Sequence, residues 1–299
     1  MNGDNRRSDK FKKSKEHFMT HKNQKNKGRQ TGRKITDQQH VQIQEWNDTK
    51  YYFAKNWRKV PQSVLHDASD DVDINVDIND NLTKVEAKET DAIIEITDED
   101  TLAMAIRYDN EELNPMVLNM ASCHKPGGGV ASGKSAQEEQ IFTRSNAHET
   151  HNQKYYPLGN TEMIYSPEVT IIKDMRENNY EILDEEHVVG MIACPALKNP
   201  KISKIEDKDI YQSEDERLIM EMKIERIFVL GIMYEHESLV LGALGCGAYN
   251  NPPEEVAKIF FNMTNKYKKY FKKIGFAILT IDPVKSQNMK IFKTVFGIE

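Results

Sequence analysis

From residue 92 to the C-terminus, short apolar runs of strand length alternate with longer stretches of helical periodicity, and this alternation limits the fold more than any other feature. Runs at 92–96, 116–120, 169–173, 187–194, 226–232, 238–244 and 277–281 read as strands. Stretches at 101–108, from about 137, at 215–223 and at 253–273 read as helices, the first led in by Thr97 and the acids after it as a cap. Such a succession predicts a three-layer α/β domain, with helices on both faces of a largely buried sheet. Ahead of it, apolar and aromatic residues at 41, 43, 46, 52, 53 and 57 recur at loosely helical intervals and stop at Pro61. Next, residues 67–81 alternate Val72, Ile74, Val76 and Ile78 with Asp and Asn, as either an edge strand or an irregular acidic loop would.

Charge divides the chain. Twelve Lys and Arg fall within residues 1–34, from Arg6 and Arg7 to Lys34, although the whole chain has a net charge of -6. That segment has almost no apolar residues to offset its ordering entropy, so a disordered basic tail is expected over 1–40. It is either a plain solvated tail or one that serves nuclear import or loose contact with polyanions. The expected organisation is this tail, a helical extension with an acidic loop over 41–91, and the α/β domain over 92–299. No stretch reaches the ~20 apolar residues of a membrane helix, and the N-terminus is too polar for a secretory signal, so no membrane partner is expected. Cys123, Cys194 and Cys246 are scattered and without C-x-x-C spacing, which excludes a disulfide framework or a cysteine-based zinc site. A reducing, intracellular location follows, cytoplasmic or nuclear.

Two glycine-rich loops, each at the mouth of a strand and each opening into a helix, carry the functional reading. The first holds Asn119, then Gly127, Gly128 and Gly129, then Gln137, Glu138 and Glu139; the second runs Gly242, Ala243, Leu244, Gly245, Cys246, Gly247, Ala248, Tyr249 and on to Pro253. Glycine lets the backbone take positive φ and approach a ligand closely, and N–H groups at a helix start bind anions. Two such loops at strand ends point to a ligand with a diphosphate or several phosphates.

The first loop also satisfies the Walker A pattern, from Gly128 to Gly133, Lys134 and Ser135, and 276–282 resembles a strand ending in a Walker B aspartate, so a P-loop NTPase is a rival reading. Context argues against it. Pro126 and several other residues separate the strand from Gly128, and two adjacent carboxylates would repel the phosphates such a loop cradles. The second glycine loop would also have no role.

A carboxylate pair at a helix start makes sense beside a sugar. The helix dipole favours negative charge there, and adjacent residues, ~100° apart on a helix, can reach one ligand only where the backbone is still turning. Cleaving a glycosidic bond passes through an oxocarbenium-like state that needs nearby negative charge, a proton for the leaving oxygen and a base for water. Burial beside a like charge would raise one carboxyl's pKa and let it carry the proton.

The triple glycine, seven-residue spacer and Gln137-Glu138-Glu139 resemble the signature of poly(ADP-ribose) glycohydrolases of the bacterial and fungal type. Residues 101–105, 117–119, 164–169 and 241–253 fall in the family's order, over about residues 92–299. The resemblance implies a macrodomain-like mixed sheet and hydrolysis of the ribose–ribose bond of poly(ADP-ribose), with poly(ADP-ribose) or ADP-ribosylated proteins as partners and no cofactor or metal. It makes Glu139 the acid and base and gives Glu138 a ribose hydroxyl. It sets Gly127, Gly128 and Gly129 against the terminal ribose with Asn119 helping to hold it, counts Val130 and Gln137 among the substrate-binding residues, and wraps the loop 242–248 around the diphosphate, with the start of the following helix. Tyr249 stands at an aromatic position, commonly Phe in relatives, that packs on the ribose. Cys194-Pro195-Ala196 departs from the family's usual Ala-Pro-Asn. A non-catalytic ADP-ribose reader and a mono-ADP-ribosyl-protein hydrolase are the alternatives.

Other candidates read as structural. His148 and His151 are expected as surface histidines at a helix end rather than metal ligands. Cys123 and Cys246 read as packing residues, and Tyr51, Tyr52, Phe53 and Trp57 as helix core rather than a base-stacking platform.

Overall fold

The computed structural model describes residues 35–56, 59–67, 87–206, 208–280 and 283–299. The basic tail up to residue 34, Trp57, most of the Val/Asp alternation and Asp282 lie outside the described residues. Among those described, no helix is long and apolar enough to cross a membrane.

The first helix, α1 (Asp37–Lys55), opens before residue 41, because the Thr36 hydroxyl accepts the Gln39 N–H at 3.2 Å and the Gln39 side chain answers the Thr36 N–H at 3.0 Å. There follow β1 (Val64–Asp67), β2 (Ile93–Thr97), α2 (Thr101–Asn110) and β3 (Pro115–Asn119). Then come α3 (Gln137–Arg144), the single turn α4 (Ala147–Thr150), β4 (Glu162–Lys173) and β5 (Ile182–Ala193). A hairpin of β6 (Ile202–Ile205) and β7 (Lys208–Tyr211) leads into α5 (Glu214–Met233), β8 (Ser238–Leu241), α6 (Pro253–Tyr267), β9 (Lys273–Ala277) and α7 (Pro283–Phe296).

Seven strands form one mixed sheet in the order β1-β4-β5-β3-β8-β9-β2. From β5 to β2 every pairing is parallel, and β4 and β1 add on antiparallel. Strand side chains alternate between the faces, and each face has its own core. Met116, Leu118, Leu239, Leu241, Ile274 and Phe276 meet Ile227 and Phe228 of α5, Val256 and Phe260 of α6 and Phe292 of α7. Val117, Val240, Ala277, Val189 and Met191 meet Leu102, Ala105 and Tyr108 of α2 and Ile141 and Phe142 of α3. This is the expected three-layer, macrodomain-like architecture.

Three element readings need correction. Residues 226–232 are the second half of the 20-residue α5, not a strand. Arg226 through Ile232 are all buried in α5, and Gly231 lets the helix come close to Leu239 and Phe271, so no polar stripe marks it as helical. The stretch read as helix to residue 273 ends at Tyr267, and the last strand starts at Lys273, where it pairs with Ile93 and Ser238. Of the run 277–281, Ala277 ends the strand and residues 278–280 lie past it.

Candidate functional site

β3 and β8 are neighbouring parallel strands, so the two glycine loops that leave their C-terminal ends lie side by side, and a Cβ on Gly242 would be 3.4 Å from the Met120 methyl. The topology itself brings together segments more than a hundred residues apart in sequence. Tyr249 adds a link between the loops, because its hydroxyl lies near Cys123 and Ser122 of the first.

The three signature side chains at the start of α3 each turn back onto the preceding loop. Gln137 Oε1 accepts the Met120 N–H at 2.8 Å while its Nε2 donates to the Leu118 carbonyl at 2.6 Å, pinning the helix start to the end of β3. Glu138 accepts the amides of Ser122 at 2.8 Å and Gly127 at 3.0 Å. Glu139 accepts those of Gly129 at 2.8 Å and Ala136 at 3.0 Å, the latter capping the helix. Both carboxyls are nearly buried, Glu138 being 4% and Glu139 6% exposed.

The glycines are required by contact as well as by backbone angle. Gly127 and Gly128 have φ of +72° and +52°. A Cβ on Gly128 would lie 2.8 Å from Glu138 Oε2 and 2.8 Å from Glu139 Oε1, so both carboxyls close over that one residue. A Cβ on Gly127 would strike the Phe142 ring, and one on Gly129 the Lys134 stem. Val130 is buried on the α2–α3 side of the sheet and begins a 3-10 turn ending at Ser132.

Burial, reinforced by the charge of Glu139, pushes the Glu138 carboxyl up to about 8, against the opposing pull of the Ser122 and Gly127 amides and Asn119. A carboxyl that keeps its proton near neutral pH is what the sequence chemistry asked for, and it is found at Glu138. Asn119, fully buried at the end of β3, leaves Oδ1 without a hydrogen-bond partner, an uncommon state for a buried carbonyl and one that a ligand hydroxyl would relieve.

In the second loop, Leu244, Cys246, Asn250 and Asn251 spend their amides on turns within the loop. Among the described residues, the N–H groups of Ala243, Gly245, Gly247 and Ala248 donate to no backbone carbonyl. Gly245, at φ +76°, sits where a Cβ would strike Ala196 and Asn251, while Gly247 faces open space. The start of α6 is a poor anion site, since Pro252 and Pro253 have no N–H and Glu254 and Glu255 are negative, so the loop's own amides are the available donors. Leu244 and Cys246 are buried beneath the loop, the latter consistent with a packing role.

The Walker A reading fails on geometry. α3 begins at Gln137, beyond Lys134 and Ser135, and carboxylate oxygens fill the space over Gly128.

Three residues were missed or misplaced by sequence reasoning. His151 is not on the surface: it is 1% exposed and touches Asn119. His148 is largely buried too, with Nδ1 shielded from solvent. Tyr156 brings a buried hydroxyl with no partner, and burial and the nearby Glu138 both raise its pKa. Neither His151 nor Tyr156 lies in a glycine-rich or acidic motif, so only the fold reveals their place. Cys123 is partly exposed in the first loop and lies near Tyr249.

Residues 21–174, just over half of the chain, match the family model of the microbial-type PARG catalytic domain. No curated protein matches the chain by sequence. Among solved structures, poly(ADP-ribose) glycohydrolase from Thermomonospora curvata is similar over 86% of this chain and 100% of its own, at 23% identity and a TM-score of 0.66. Its complex with the inhibitor ADP-HPD aligns over 85% and 99%, at 22% identity and a TM-score of 0.66. Poly(ADP-ribose) glycohydrolase from Deinococcus radiodurans, in complex with ADP-ribose, aligns over 79% of this chain and 94% of its own, at 24% identity and a TM-score of 0.63. At these identities the structural likeness is one of fold.

Proposed function

The chain belongs to the microbial-type PARG catalytic domain family, and from that premise we propose that it hydrolyses the ribose–ribose O-glycosidic bonds of poly(ADP-ribose) and releases ADP-ribose. The observation that carries this reading is the pair of nearly buried carboxyls closed over Gly128 by four backbone amides. A phosphate-binding loop has no use for them, whereas a glycosidic carbon that becomes cationic does.

In the proposed reaction the terminal ribose lies against Gly127, Gly128 and Gly129. Asn119 Oδ1 accepts one of its hydroxyls, Val130 and Gln137 shape the wall, and Tyr249 packs on the sugar. The amides of the 242–248 loop receive the diphosphate. Glu138 binds a hydroxyl of the adjoining ribose. Glu139 gives a proton to the departing ribose oxygen as the C1–O bond breaks, its carboxylate faces the oxocarbenium ion, and it then takes a proton from the water that attacks C1. The pair thus enters with one proton and leaves with one. Glu138 stores it near neutral pH, and passage to Glu139 as substrate closes the site makes it available to the leaving oxygen. The localisation remains part of this proposal: an intracellular, cytoplasmic or nuclear enzyme acting on polymer or on ADP-ribosylated proteins.

Purified protein incubated with labelled poly(ADP-ribose) should release ADP-ribose, and Glu139→Ala should lower kcat by about two orders of magnitude or more while retaining ADP-ribose affinity. Unchanged turnover in that variant would refute the role of Glu139. Release of single units from mono-modified protein, with polymer left intact, would refute the polymer as substrate.

A further inference from the structure

A side-chain amide turned by 180° exchanges an acceptor for a donor, so a ribose-binding asparagine is useful only if something fixes which way it faces. Asn119 Nδ2 lies 3.3 Å from Nε2 of His151, which fixes the side of the amide that faces the imidazole. The reversed amide would set its oxygen against the Nε2 lone pair of His151 and withdraw the unpaired Oδ1 from any ligand.

The local bonds determine which nitrogen of His151 carries hydrogen. His151 caps the C-terminus of the α4 turn, where its backbone N–H donates to the Ala147 carbonyl at 2.9 Å. The Thr150 hydroxyl donates its one hydrogen to that same carbonyl at 3.2 Å, so its oxygen is left to accept from His151 Nδ1, 3.0 Å away. With the proton on Nδ1, the lone pair on Nε2 faces Asn119 and accepts from its amide. Burial pushes the imidazole down to about 4, which keeps the ring neutral and Nε2 an acceptor at neutral pH. The Phe142 ring meets the imidazole edge-on, with centroids 5.4 Å apart, and that same ring fills the space beside Gly127.

We propose that His151, with its tautomer set by Thr150, is a positioning residue that holds the Asn119 amide so that Oδ1 serves as the acceptor for a hydroxyl of the bound ribose. This rests on the ADP-ribose reading of the site and extends it to a residue outside the signature.

The test is a double-mutant cycle on the full chain, read as ADP-ribose affinity by calorimetry and as kcat and KM on polymer, with thermal denaturation alongside. His151→Phe keeps an aromatic ring but removes the acceptor, and should weaken ADP-ribose binding about tenfold. His151→Gln, which offers an acceptor oxygen, should recover most of that loss. Thr150→Val should weaken binding severalfold by freeing the tautomer. In an Asn119→Ala background, His151→Phe and Thr150→Val should cost no further affinity. Equal losses in both backgrounds, or wild-type affinity in His151→Phe or Thr150→Val, would overturn the proposal. A wild-type protein that neither binds ADP-ribose nor cuts polymer would instead overturn the reading of the site on which it stands.

Discussion

At the residue scale, the two signature carboxyls differ by what surrounds them. Glu138 lies between loop amides and Asn119, and its burial is the main cause of a pKa raised from 4.5 to about 8. Between those two values the folded chain holds a proton that the unfolded chain has released, so raising the pH through this window favours unfolding. Glu138→Gln has nothing to titrate there. The Tm of the variant minus that of the wild type should therefore grow as pH rises from 5 to 8 and level off above it. A constant difference across that range would show that Glu138 ionises normally in the fold. Since the proposed chemistry needs Glu138 in place, the same variant should gain stability and lose turnover together, the trade expected of a site held in an unfavourable environment. Much of this was legible in the sequence, because a triple glycine, a fixed spacer and paired acids at a helix start are a local pattern. His151 and Tyr156 were not, because the folded chain and no local pattern sets His151 against Asn119 and Tyr156 near Glu138.

At the element scale, α3 is the piece on which the site depends, and it is anchored at both ends. Its first turn is tied to β3 through Gln137. Its last residue, Arg144, fully buried, donates to Asp100 Oδ1 at 2.6 Å and to the Lys173 carbonyl at 3.2 Å. Asp100 also caps α2 by accepting the amides of Leu102 and Ala103. Asp100→Ala would strip that cap and leave a guanidinium buried without its counter-charge, so a loss of about 3–5 kcal/mol in urea denaturation is expected. Helix α1 braces the opposite side. Gln42 Nε2 donates to Thr143 Oγ1 at 2.6 Å, Thr49 Oγ1 to the Thr143 carbonyl at 2.5 Å, and Thr143 Oγ1 to the carbonyl of Glu139 at 2.8 Å. The Gln39 backbone fills the space a Cβ on Gly133 would need. A Gln42→Ala, Thr49→Val double variant should lose about 1–2 kcal/mol of stability and, measured below its melting range, a severalfold share of kcat; unchanged kcat would show that α1 contributes packing alone. The extension's helical period was legible, with Tyr52 and Phe53 1% exposed as expected of core. Its polar contacts were not, because Gln42, Glu45 and Thr49 look like a solvated face until α3 and Lys173 are packed against them. The same lack of contrast hid the second half of α5, which is buried on every side and so reads as a strand.

At the scale of the whole molecule, local alternation was enough to predict layers but not which strands are neighbours, because pairing depends on long-range contacts that no window of sequence contains. β1 and the β6–β7 hairpin, four residues per strand, were too short to show a period. The strand order has a consequence for how far the chain can be divided. Residues 21–174 match the family model, yet the sheet interleaves that part with the rest: β2 pairs only with β9, and β3 lies between β5 and β8. The matched part ends with β4, so on its own it would leave β2 and β3 with no strand partner and expose both cores of the sheet. It would also lack the loop after β8 that faces the first glycine loop. A fragment of residues 35–174 should therefore show no cooperative thermal transition by circular dichroism and no ADP-ribose binding, under conditions where the full chain shows both. A soluble fragment with a sigmoidal melt would mean that the edges left open can be covered locally, and that the loop after β8 completes a unit already folded instead of being required for its folding.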